Sequence, residues 1–187
     1  GLAARRIAAD IIDNTLRRHR QLDDQLEGPN AHPGLKSLDD RDRALMRRLV
    51  ATVLRRRGTL RYIFAKFLER GLPHDAPRVE SALMIGAVQI LWMDVPDHAA
   101  VDLAVRLVQA DRRASHYAGL VNAVLRSFLR RQAELTADLA SDAVAAAQHP
   151  DWWLAQGQTA FPQDWPAIIP AGNAPPPMGL RVNGRRV

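Results

Sequence analysis

Apolar residues recur with a period near 3.6 along most of this chain, which predicts helices. The first predicted helix runs from Leu2 to His19, with Ile7, Ala8, Ile11, Thr15 and Leu16 on one face. "EGPNAHPG", Glu27 to Gly34, reads as a loop. A second helix is expected from about Ser37. Asp39, Asp40 and Asp42 fill its first turn and Arg55, Arg56 and Arg57 its last, as the helix macrodipole favours. Gly58 is then expected in a left-handed cap. In a third helix, Thr59 to Arg70, Leu60, Ile63, Phe64, Phe67 and Leu68 form a full apolar stripe, closed by Gly71 and Pro73.

The fourth predicted helix, Ala76 to Met93, differs from the rest. "VESALMIGAVQILWM" is apolar on nearly every side, so neighbours must bury it all round. Gly86 costs about 1 kcal/mol of helix propensity against Ala, which points to a close approach by another helix. Pro96 breaks the chain, and Asp97 is expected to cap a fifth helix reaching Gln109. In a sixth, Ala114 to Gln132, the residues Tyr117, Leu120, Val121, Val124, Leu125, Phe128 and Leu129 step by three and one. A weaker Ala-rich helix, Leu135 to Ala147, follows. Gln89 and Asn122 lie on buried helices and are expected to be hydrogen-bonded, because an unpaired buried amide costs about 1–3 kcal/mol.

From His149 the pattern changes. "HPDWWLAQGQTAFPQDWP" carries three of the four tryptophans, and Pro150 is expected to open a short helix. Trp152 and Trp153 are expected to pack on the bundle or on whatever follows. Pro175 to Pro177 predict an extended segment. Met178, Leu180 and Val182 alternate with Gly179, Arg181 and Asn183, a period of two that predicts a strand. The fold class is therefore all-α. A bundle of about seven helices spans residues 1–147, and a Trp/Pro-rich linker with the start of a strand spans 148–187. No internal repeat is visible.

Charge adds direction to this picture. The net charge is +6, and residues 1–131 hold 23 basic against 15 acidic side chains. Of the 26 cations, all but Lys36 and Lys66 are Arg, the better phosphate fork, although G+C-rich codon usage also favours Arg. A basic domain of this kind points to a polyanion, most often nucleic acid. The chain has no Cys, which excludes disulfides, thiolate nucleophiles and Cys-ligated zinc. No apolar run approaches the ~18 residues that span a membrane. No secretory signal is visible either, so a soluble, cytoplasmic protein is expected.

Catalytic motifs are sparse. Asp97–His98, and His116 beside Ser115 and Asp111, are pairs of ionisable neighbours with no oriented nucleophile. Capping accounts for the first pair and a surface position for His116. The six histidines are scattered, and no metal spacing, phosphate loop or dinucleotide fingerprint occurs. No catalytic, cofactor-binding or metal residue is assigned. The basic clusters remain: Arg5/Arg6, Arg17/Arg18/Arg20, Arg47/Arg48, Arg55/Arg56/Arg57/Arg61, Arg112/Arg113 and Arg126/Arg130/Arg131. Phosphate binding needs several cations on one surface.

Three stretches together resemble a known family: "LDDRDRALMRRLVATVLR" (Leu38 to Arg55), "ALMIGAVQILWMDVPDHAAVDLAV" (Ala82 to Val105) and "GLVNAVLRSFLR" (Gly119 to Arg130). They look like the NusB-type all-α RNA-binding domain. That domain occurs as a free bacterial antitermination factor and as the N-terminal domain of RsmB/Sun-type rRNA cytosine methyltransferases. "HPDWWL" (His149 to Leu154) and "PPPMGLRVN" (Pro175 to Asn183) resemble the methyltransferase branch. Asp102 and Leu103 depart from the family's usual polar pair, and "AIIPAGNAPPP" is a loose version of its pre-proline stretch.

The resemblance implies a division of labour. The bundle binds ribosomal RNA and positions the substrate. A following catalytic domain, reached through the strand begun at Met178, binds S-adenosylmethionine and supplies a Cys nucleophile. The implied partners are ribosomal RNA and the protein's own methyltransferase domain. Charge clustering together with that resemblance selects Arg5, Arg6, Arg55, Arg56, Arg57, Arg61, Arg112 and Arg113 as RNA contacts. Three other readings stay open: an antitermination factor binding RNA and a ribosomal protein, a protein-interaction module docking its own parent, and a stand-alone enzyme. The recognised RNA and the oligomeric state are encoded in no motif.

Overall fold

In the computed structural model, which describes residues 1–139, 146–174 and 176–185, the helical period becomes a series of packed helices. They are α1 (Leu2–Arg18), α2 (Leu22–Leu26), α3 (Asp40–Arg55), α4 (Arg57–Ala65), α5 (Pro77–Trp92), α6 (Asp97–Gln109) and α7 (Ala118–Leu139). Two short 3₁₀ turns, Pro33–Ser37 and Ser115–Tyr117, precede α3 and α7. Two more helices, α8 (Asp151–Ala160) and α9 (Trp165–Asn173), lie beyond. The chain divides into two compact units, Gly1–Gln148 and His149–Val187.

In the first unit α5 is the axis. Every residue from Ser81 to Gln89 is buried, and the helix packs against α1, α3, α4, α6 and α7. This placement suits a helix whose middle has no polar face. Gly86 makes it possible: a Cβ there would lie 2.7 Å from Leu125 Cδ1 and 3.3 Å from Ala104 Cβ. An Ala at this α6–α5–α7 crossing would therefore push the Leu125 side chain aside.

Several local expectations need correction. Gly58 is not a left-handed cap. A single residue, Arg56, separates α3 from α4, so Gly58 falls in the first turn of α4. The positive-φ glycine nearby is Gly71, at φ 73°, where the turn after α4 reverses. α4 ends at Ala65, five residues earlier than its apolar stripe implies. Asp97 is the first residue of α6 rather than its cap, which is Pro96, so its carboxylate contributes through the dipole alone. α2 and the Pro33–Ser37 turn lie in or beside the expected loop; five residues are too few to show a period. Asp39 does cap α3, accepting from Asp42 N–H at 2.7 Å. α7 continues through the expected break to Leu139. Residues 140–145 of the expected Ala-rich helix lie outside the described residues.

In the second unit α8 and α9 are joined by aromatic contact. His149 meets Trp153 edge-on at 4.1 Å, and Trp153 meets Trp165 at 4.9 Å. Gly157 sits under the Trp165 ring, where a Cβ would come within 1.8 Å. Trp152 stays 62 % exposed. The strand expected at Met178–Val182 is absent, and no strand occurs among the described residues. Its side chains are exposed. Alternation sets an extended backbone, but a strand also needs a ladder partner, and none is at hand here.

Candidate nucleic-acid interface

The structure sorts the arginines into those already engaged and those left over. Arg5 is withdrawn from the RNA-contact set. It is 6 % exposed, its Nε donates to Gln89 Oε1 at 2.7 Å, and its Nη1 donates to the Gly1 carbonyl at 2.8 Å. Burial lowers its pKa, with Asp42 opposing. Arg6, one residue on, points outward. It sits roughly 16 Å along α1 from Arg17, by helical rise alone.

The arginine triplet divides at the α3–α4 junction. Arg55 ends α3, where the dipole welcomes it. Arg56 lies over the Trp92 ring at 5.4 Å. Arg57, however, is the first residue of α4, whose first turn has no acidic residue, and Arg61 lies at the middle of that helix. Cations at a helix N-terminus are electrostatically disfavoured. The dipole therefore accounts for Arg55, opposes Arg57 and has little bearing on Arg61. Both are exposed, and neither has an ion-pair or hydrogen-bond partner among the described residues.

Arg112 and Arg113 project from the α6–α7 loop. Asp111 shapes that loop: its Oδ1 accepts from Arg113 N–H at 2.9 Å and from Ala114 N–H at 3.1 Å. Asp111 Oδ2 also lies 3.7 Å from Arg78 Nε. Arg78 is the hub of a part-buried network. It pairs with Asp10 and, at 3.4 Å, with Asp13. His32 joins through Nε2–H to Asp10 Oδ2 at 3.2 Å, because its Nδ1 is occupied by the N–H of Gly34. Burial pushes the Asp13 carboxyl up to about 6, outweighing the pull of Arg78.

Arg112 and Arg113 line one cavity with Arg17, Arg18 and Arg78. Arg57 and Arg61 line another with Glu80. One contact links the two: Arg17 Nη2 donates to Glu80 Oε2 at 3.0 Å. The arginines of α4 and of the α6–α7 loop thus line two cavities joined by a single ion pair. No sequence signal marked Arg78, Glu80 or Asp111 as organisers, since Arg78 and Asp10 are 68 positions apart and Arg17 and Glu80 are 63 apart. Elsewhere, Arg126, Arg130 and Arg131 are held by Asn122, Ser127 and Glu134 on α7 itself. Arg47 is held by Glu27, and Arg48 by the Trp92 carbonyl.

Among the described residues no group of three acidic or imidazole side chains is placed to hold a metal ion. No helix there is long and apolar enough to cross a membrane. S-adenosylmethionine, the cofactor implied by the resemblance, does not fit these residues, because a cofactor loop needs a strand leading into a helix and the described residues have none.

Comparison with known proteins agrees with this architecture. The NusB family matches residues 2–130, and the "Methyltr_RsmF/B-like, ferredoxin-like domain" matches residues 149–187. A ribosomal RNA small subunit methyltransferase B of Cronobacter sakazakii is 35% identical over 179 residues, covering 96% of this chain and 40% of the relative. The protein of that name from Escherichia fergusonii is 36% identical over 180 residues, with the same coverage. The chain thus spans about 40% of the length of the curated relatives it matches. A helical unit around a largely apolar axis, followed by an RsmF/B-like segment, has one reading: the chain belongs to the NusB family, as the NusB-like region of the RsmB/Sun type.

Proposed function

We propose that this chain is the RNA-binding, substrate-positioning part of a 16S rRNA cytosine-5 methyltransferase, working in the cytoplasm beside its own S-adenosylmethionine-dependent catalytic domain. The observation that carries this reading is the presence of unpartnered arginines in two cavities joined by one ion pair. Arg57 and Arg61 line the cavity that holds Glu80, Arg112 and Arg113 line the cavity that holds Arg17, the Arg17–Glu80 ion pair joins the two, and Arg57 sits against its own helix dipole. Phosphates would relieve that repulsion, as they also satisfy planar guanidinium forks. The bundle contributes affinity and orientation, and no chemical step is assigned to its residues.

The match of residues 149–187 to a segment shared with RsmF/B-like proteins supports the methyltransferase branch over the antitermination branch. The test is a titration of the purified chain with 16S rRNA fragments across a salt series. Binding that weakens linearly in log[salt], by about 0.7 per single-strand phosphate neutralised, supports the proposal. Affinity that is absent, or indifferent to salt, sinks it.

A further inference from the structure

The cavity between α4 and the first half of α5 differs from its neighbours in chemistry. Its volume is about 350 Å³, near the lower end for ligand pockets. Its apolar floor is made by the part-buried Leu68 and Leu72, with Phe64 and Met84 buried at its lining, and Arg57 and Arg61 line it as well. Glu80 closes the other side. One of its oxygens, Oε2, accepts from Arg17, while Oε1 has no partner among the described residues. The larger cavity near Tyr117, about 800 Å³, carries Glu69 and Asp75 against a single Arg70, the wrong balance for a polyanion. The Arg112/Arg113 cavity has the charge but is lined mainly by ionic side chains.

An apolar floor, flanking guanidiniums and a spare carboxylate oxygen match one unpaired nucleotide. Unpaired RNA is read by laying the base on an apolar or aromatic surface and bonding its edge, while cations hold the backbone. A carboxylate accepts from an exocyclic amine, which cytosine, adenine and guanine carry and uracil lacks. Resting on the RNA-binding reading above, we propose that this cavity takes a single extruded, amine-bearing base. Arg57 and Arg61 hold its flanking phosphates, and Glu80 Oε1 accepts from the amine. The face then distinguishes unpaired from duplex RNA, which charge alone does not do.

The experiment is an abasic scan. A short single-stranded RNA that binds the chain is resynthesised with one base removed at each position in turn, and affinities are read by fluorescence anisotropy at fixed salt. Removal at one position is expected to cost roughly ten-fold, within the range of single-base stacking, and elsewhere about two-fold or less. Uracil at the sensitive position should cost several-fold, and Glu80→Gln should erase that penalty. Ala65→Trp, at an exposed position on the cavity rim, should flatten the scan while leaving the salt slope intact. A flat scan with salt-dependent binding retained overturns the pocket and spares the RNA-binding reading. A sensitive position indifferent to both substitutions also overturns it, since the base is then read elsewhere. Absence of salt-dependent binding overturns both.

Discussion

Arg5 and Gln89 meet inside the core: Arg5 Nε donates a 2.7 Å hydrogen bond to Gln89 Oε1, and Gln89 Nε2 donates on to the Ile85 carbonyl at 3.0 Å. The pair ties the first turn of α1 to the buried α5. Gln89 is fully buried, so its amide survives there only because both ends are satisfied.

Gln89→Leu should therefore be costly. It leaves a buried guanidinium without its neutral acceptor, and a loss of about 3 kcal/mol is expected. Changing both partners, Arg5→Met with Gln89→Leu, should recover most of that loss. Urea unfolding of the two variants measures it, and equal destabilisation of single and double variants would refute the pairing.

The free arginines should separate from the engaged ones in RNA binding. Arg57→Ala with Arg61→Ala, and Arg112→Ala with Arg113→Ala, should each weaken binding and lower the salt slope by about 1 to 1.5. Arg126→Ala with Arg130→Ala removes equal charge from side chains held by Asn122 and Ser127, and should change the slope much less. Arg5→Met should act on stability rather than on the slope. Equal slopes for all the double variants would show that only net charge matters.

Stability should fall as pH rises from about 4 to 6. The Asp13 carboxyl ordinarily titrates at 3.8 and is raised to about 6 in the fold, chiefly by burial. Between those values the folded chain holds a proton that the unfolded chain has released, so each pH increment favours unfolding. The contribution is on the order of 2–3 kcal/mol, complete by neutrality. Asp13→Asn should remove that slope from the pH dependence of urea midpoints; an unchanged slope would mean that another group carries it.

Gly86→Ala should fail to deliver the roughly 1 kcal/mol that helix propensity promises. The new methyl would lie 2.7 Å from Leu125 Cδ1 and 3.3 Å from Ala104 Cβ, and overpacking costs about 1–3 kcal/mol. A lowered melting temperature is expected. Pairing the change with Leu125→Val, which retracts the opposing methyl, should restore part of it, whereas a raised melting temperature for Gly86→Ala alone would show the crossing to be loose.

Most of the fold was legible because it rests on period. The stripes of α1, α4 and α7, the unbroken apolar run of α5 and the Asp39 cap are local patterns, and local patterns survive into structure when the core agrees with them. The misplaced features were junctions. Gly58 suggested a stop, yet Arg56 alone divides α3 from α4, because packing against α5 and α7 sets where the chain turns. At Met178–Val182 the alternation described a strand whose partner it had no means to name.

By itself the sequence determined the helical class, the buried axis, the need for a glycine at position 86 and the presence of a large arginine surplus. Only the tertiary structure decided what each arginine is for. Arg5 and Arg6 are neighbours in the chain and alike in charge, yet one closes the core and the other faces water. Arg57 and Arg112 are far apart in the chain, yet the cavities they line are joined by the Arg17–Glu80 pair. The reason is physical. Periodicity reports which face of a helix is apolar, while the partner of a charged group is fixed by which helices meet, and that depends on contacts dozens of residues apart.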